Sequence, residues 1–107
     1  MAEREHQPAQ ARHELGTVDD LAMVAARAAD RLLAEARQRG SERWMRFLEP
    51  IPDRLRDEQL PALRRVALRA RAAYGAKDSI RDALPAEVTE PFLEAIDRLL
   101  REVNRVT

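Results

Sequence analysis

The feature that most constrains this chain is the spacing of its apolar residues between Val18 and Ala36. Val18, Leu21, Ala22, Ala25, Ala28, Ala29, Leu32 and Ala36 recur at intervals of three and four, which places them on one face of an α-helix. A strand cannot use such a stripe, because its side chains alternate between two faces with a period of two. Most of the stripe is alanine, so whatever packs on it comes close to the helix axis. Gly40 follows the last periodic residue and can end a helix in the left-handed conformation. Thr17 and Asp20 have the spacing of a capping box at the other end. Together these predict a first helix over about residues 18–39.

The rest of the chain repeats the pattern with different punctuation. Ser41 can cap a second helix carrying Trp44, Phe47, Leu48, Ile51 and Leu55. Pro50 and Pro52 interrupt it, and each removes an amide donor and disfavours helical geometry in the residue before it. The second helix is therefore kinked, or broken into two short pieces. Trp44 and Phe47 suit either the core or an exposed anchor, and their spacing with Leu48 and Ile51 favours the core. Pro61 stands near the start of a third helix, where a missing amide costs little. Its apolar face is Leu60, Leu63, Val66, Ala67, Ala70, Ala73 and Tyr74, and Gly75 is placed to end it in a left-handed turn. Ser79 and Asp82 form a second capping-box spacing before a short turn of helix (Ile80, Ala83, Leu84) and Pro85. Thr89 can cap the last helix, with Val88 and Leu93 as a hydrophobic staple and Phe92, Ile96, Leu99, Leu100 and Val103 as its stripe. No segment alternates as a half-buried strand would, and no internal repeat is visible. Residues 1–16 lack apolar periodicity and read as a mobile tail ahead of a single domain over 17–107. The expected fold is all-α, a compact bundle of three long helices plus one or two short ones.

Composition narrows the chemistry. Acidic and basic residues number 19 each, so no bulk positive charge drives binding to nucleic acid. Eighteen of the basic residues are Arg and one, Lys77, is Lys. The absence of Cys removes disulfides, thiolate catalysis and Cys-based zinc sites together. His6 and His13 fall in the expected tail and have no convergent partners, so no metal site is expected. The start of the chain has no apolar signal core, and no apolar run approaches the roughly 18–20 residues of a membrane span. A cytoplasmic location away from the membrane is the expectation. Asp19 with Asp20, and Asp57 with Glu58, are adjacent acid pairs, but as helix-start residues they serve the exposed amides. No nucleophile elbow, phosphate-binding loop or dinucleotide glycine pattern appears. The expectation is a non-enzyme without a cofactor.

The third helix carries the most distinctive surface. No acidic residue occurs between Gln59 and Lys77, whereas Arg64, Arg65, Arg69, Arg71 and Lys77 do. At 100° per residue the four arginines fall opposite the apolar stripe, with Leu68 inside their arc. This is either a solvated basic face or a surface for an acidic, partly apolar partner.

Tyr74 to Leu84 reads YGAKDSIRDAL. It resembles the core of a family of bacterial helical domains found among polymorphic-toxin and immunity genes. The family's pattern is Tyr-Gly-Gly-Met-Gly-Ser, an aliphatic residue, Asn-Asp and a further aliphatic. Tyr74, Gly75, Ser79, Ile80 and Asp82 match, while Ala76, Lys77, Asp78 and Arg81 depart from Gly, Met, Gly and Asn. The likeness covers roughly 45 residues, from the third helix to the end, and the layout is also similar to small immunity proteins that block toxins delivered by type VI secretion. The resemblance implies an immunity protein that binds a cognate protein toxin and occludes its active site. Arg64, Arg65, Leu68, Arg69 and Arg71 are the candidate contact residues, and Tyr74, Gly75, Ser79 and Asp82 the family-motif residues. The alternative is a self-associating regulator or scaffold, a homodimer joined through the alanine stripe of the first helix.

Overall fold

The structure is a computed structural model that describes residues 12–107. Among the described residues there are six α-helices and no strand: α1 (Gly16–Gln38), α2 (Glu42–Leu48), α3 (Ile51–Asp57), α4 (Leu60–Ala72), α5 (Ile80–Ala83) and α6 (Ala86–Val106). The protein is thus all-α, with α1, α4 and α6 as the three long helices. The short ones number three, because Pro50 and Pro52 divide the second predicted helix completely into α2 and α3. No described helix is long and apolar enough to cross a membrane.

Helix α1 is the central element. It packs along α6 over most of its length, and α2, α3 and the turn before it also lie against it, while α4 rests on α6 and α3. Ala22, Ala25, Ala26, Ala28, Ala29 and Ala36 are all buried within the chain, so their small side chains serve the close approach of neighbouring helices. Against them stand Phe92, Ile96, Leu99 and Val103 from α6, and Leu63 and Val66 from α4 are buried in the same core. The alanine stripe is consequently an interior surface of the chain.

Helix ends show where local chemistry was enough. Gly40 has φ +66, its amide donates to the Arg37 carbonyl, and the Ser41 amide donates back to Ala36 at 2.9 Å. That pair of bonds is the Schellman closure of a left-handed C-terminus. Ser41 occupies the N-cap of α2 without a side-chain cap bond. The Ser79–Asp82 box does form: the Arg81 amide donates to Ser79 Oγ and the Ser79 amide to Asp82 Oδ2.

Other expectations need correction. The expected tail lies outside the described residues as far as position 11, but Arg12–Glu14 form a 3-10 turn that belongs to the folded domain. Arg12 is only 2% exposed. Its Nε donates to Asp19 Oδ1, its Nη1 to the Glu58 carbonyl and its amide to Gln59 Oε1. This turn carries the chain into α1 one residue before Thr17, so Thr17 and Asp20 make no capping box and Asp19 pairs with Arg12 instead. His6 lies outside the described residues, and His13 is exposed in the same turn. Asp57 ends α3 and Glu58 follows it, so neither acid stands at a helix start. Thr89 does not cap α6, which begins at Ala86 behind Pro85, and Val88 and Leu93 therefore form no staple. Pro91 lies within this helix, where its missing amide leaves only the carbonyl of exposed Glu87 without an intrahelical partner.

Candidate functional site

Helix α4 lies in contact with α6 on one side and α3 on the other, and this divides the predicted contact residues into two sets. Arg64 and Arg71 turn toward α6. Arg71 Nε is 2.8 Å from Asp97 Oδ1, and Arg64 Nε donates to Asn104 Oδ1 at 2.8 Å. Both are held in place by the fold. Arg65 and Arg69 turn the other way, toward α3 and α2. Leu68, 42% exposed, stands between the two sets.

Arg65 and Arg69 line a cleft of about 380 Å³ together with Arg54, Glu58, Ala62 and Val66. Arg69 also lines a second cleft, of about 320 Å³, formed with Arg43, Trp44, Phe47, Ala72, Ala73, Lys77 and Asp78. The shared arginine makes one continuous face across α2, α3, α4 and the α4–α5 loop. Five cations border it against two acids. Among the described residues, none of Arg43, Arg54, Arg65, Arg69 or Lys77 forms an ion pair. Other surface arginines, such as Arg37, Arg39, Arg56, Arg81 and Arg105, do have carboxylate partners. Arg27, Arg31, Arg46, Arg64, Arg98 and Arg101 likewise form no ion pair among the described residues, but only on this face do five such cations border two adjoining clefts.

Two of these guanidinium groups are held by aromatic rings. Arg43 lies 4.6 Å from the Trp44 ring centroid, and Arg69 lies 5.4 Å from that of Phe47. The rings meet edge-on with centroids 5.6 Å apart. Trp44 is buried, as its spacing predicted, while Phe47 is half-buried and reaches the second cleft. A guanidinium stacked on a ring keeps its edge N–H donors available.

The motif segment plays a different part. Tyr74 is buried, and its hydroxyl donates to the Thr89 carbonyl at 2.6 Å. Burial, and then the charge of Glu90, push the phenol well above its ordinary pKa. Arg81 stacks over the same ring at 5.5 Å and grips Glu90 through two bonds of 2.9 Å. The hydrogen bond from Arg81 holds the Glu90 carboxyl below its usual range. The Ile80 amide closes the loop onto the Ala73 carbonyl. Tyr74 therefore ties the end of α4 to α6, while Ser79 and Asp82 cap α5 between them. Gly75 is not left-handed, contrary to expectation: α4 ends in right-handed geometry at Ala73, and the turn is made at Asp78, whose φ is +50.

Sequence reasoning found Arg65, Leu68 and Arg69 through the acid-free arc of a single helix. It missed Arg43 and Arg54, which arrive from α2 and α3, and it favoured the core for Phe47, which is half-buried at the cleft. Their only local signal is an arginine beside each aromatic or proline-flanked segment, which is common in this chain. No group of three or more His, Cys, Asp or Glu side chains converges among the described residues. Comparisons with protein-family models, with curated proteins and with solved structures find no match to this chain.

Proposed function

We propose that this chain is a binding protein of the toxin-immunity kind, which docks an acidic protein toxin on the face centred on Arg69. The observation that carries the proposal is the set of cations without ion-pair partners around exposed Leu68 and half-buried Phe47. Charge on such a face steers association and selects the partner, while a few apolar anchors supply affinity. The fold itself holds Arg64 and Arg71, so Arg65 and Arg69 replace them as the principal contacts, with Leu68 retained.

The loop conformation supports the family likeness. The pattern that YGAKDSIRDAL resembles has glycine where this chain has Asp78, and Asp78 is the one left-handed residue of the loop. Only glycine adopts that geometry without penalty, and Asp and Asn tolerate it best among the rest. A glycine at this position of the pattern is compatible with the same left-handed turn. No observation favours self-association through α1, whose alanines are interior.

The test is co-expression with a toxin domain encoded beside the gene. The expected result is growth rescue and a stoichiometric complex in size-exclusion chromatography with light scattering. Arg65→Glu/Arg69→Glu should abolish both while the variant stays folded by circular dichroism. Full rescue by the folded double variant would remove this face from the proposal.

A further inference from the structure

The second cleft has features that a flat protein-docking surface does not require. It is concave, at about 320 Å³ it reaches the lower end of small-ligand sites, and it joins cations to an apolar floor. Arg43, Arg69 and Lys77 line it, with Asp78 as the single acid and Phe47, Ala72 and Ala73 as the apolar part. Three positive charges against one negative leave an excess of two. A phosphate monoester matches that excess, carrying about −1.5 to −2 at neutral pH with three acceptor oxygens. A lone carboxylate would leave half of it uncompensated.

The two arginines are also organised in advance. Each lies against an aromatic ring rather than a carboxylate, so its position is fixed while its donors remain unsatisfied by an acid. Arg43 makes one long contact, 3.5 Å, to the Asp78 carbonyl. Fixing a guanidinium by stacking lowers the entropy lost when an anion arrives. Lys77 adds a point charge from the loop. The organic part of the ligand then meets Phe47 and the two alanines. Planar groups suit this wall, because both a phenyl ring and a guanidinium plane accept stacking partners.

We propose that this cleft is a binding site for a small planar phosphomonoester of the nucleoside 5′-monophosphate class. Arg43, Arg69 and Lys77 hold the phosphate, and Phe47, Ala72 and Ala73 contact the base. The site lies within the face described above but needs no protein partner, so its test is separate from that of the immunity reading. A long nucleic acid is the competing occupant, and the chain's balance of 19 acidic against 19 basic residues gives it no bulk positive charge to drive such binding.

Trp44 is the sole tryptophan of the chain and borders the cleft, so its emission reports occupancy. The purified full chain is titrated with AMP, with adenosine and with inorganic phosphate at constant ionic strength. AMP should give a saturable change, adenosine none, and phosphate a binding curve at least about fivefold weaker, since it lacks the apolar contacts. Arg69→Ala and Lys77→Ala should each weaken AMP by about tenfold, the scale of one charge-assisted contact. Lys77 is an exposed loop residue, so that variant stays folded whatever Arg69→Ala does to the helix pair. Amide shifts of Ala72 and Ala73 on adding AMP provide a second measurement of place. The proposal is overturned if AMP produces no saturable change up to millimolar concentration, if adenosine binds equally well, or if folded Lys77→Ala binds AMP unchanged. Tighter, length-dependent binding of a single-stranded oligonucleotide would also overturn it, by assigning the cleft to nucleic acid.

Discussion

Tyr74 is the only tyrosine in the chain, which makes its buried hydroxyl open to a direct measurement. The perturbation is Tyr74→Phe, which keeps the ring under Arg81 and removes only the bond to the Thr89 carbonyl. That bond is 2.6 Å long and buried. The Thr89 carbonyl lies inside α6 and keeps its helical partner, so no bare acceptor is left behind. The cost is then the net value of one hydrogen bond, about 0.5–1.5 kcal/mol. For a domain of this size that lowers the melting temperature by roughly 4–8 °C per kcal/mol. Spectrophotometric titration of tyrosinate adds an independent check. The folded phenol is raised above its ordinary value of 10.0, by burial first and Glu90 second. The stability it contributes is fully present below pH 10 and is lost as pH climbs toward the folded value, because the unfolded chain ionises first. With one lysine in the sequence and arginines that keep their protons, few other side chains titrate in that window. Wild-type stability should therefore fall above pH 10 more steeply than that of Tyr74→Phe. Tyrosinate appearing near pH 10 in the folded protein, or a Phe variant melting within a degree of wild type at neutral pH, would refute the Tyr74 tie between α4 and α6.

Further predictions separate fixed groups from available ones. Arg71→Glu sets an acid against Asp97 and should cost about 1 kcal/mol at this partly exposed position, whereas Arg65→Glu should change the unfolding free energy from urea titration by no more than about 0.5 kcal/mol. Gly40→Ala forces a side chain into left-handed backbone and should destabilise by about 1 kcal/mol, while Gly75→Ala, whose added carbon meets the Ala72 carbonyl at an ordinary 3.6 Å, should be nearly neutral by thermal melting. Ala25→Glu places a charge at a fully buried point of α1 and should unfold the chain by circular dichroism, so a folded Ala25→Glu variant would contradict the interior role of the alanine stripe. Arg12→Ala removes contacts to Asp19 and the Glu58 carbonyl and should cost about 1–3 kcal/mol by chemical denaturation.

Much of the architecture is local in origin. The α1 stripe, the Gly40 closure, the Ser79–Asp82 box and the break at Pro50 and Pro52 each depend on residues a few positions apart, and each appears as its spacing predicts. The start of α6 was misplaced because two prolines and a threonine compete there, and packing of the helix on α1 selects Pro85 as the boundary. The start of α1 was misplaced for a similar reason, since Arg12 finds Glu58 and Gln59 only after the chain has folded. At the candidate site, Arg65, Leu68 and Arg69 were legible because one helical arc contains them.

The sequence by itself determined that the chain is helical, where most of its helices break and which face of α4 is basic, because these follow from periods and caps within single segments. Tertiary structure alone decided which arginines remain available. Asp97 and Asn104 reach Arg71 and Arg64 across 26 and 40 residues, while Arg43, Arg54 and Phe47 arrive beside Arg69 from separate helices. An ion pair between distant residues costs chain entropy that only the packed core offsets. Its presence or absence is therefore a property of the fold and not of any one segment.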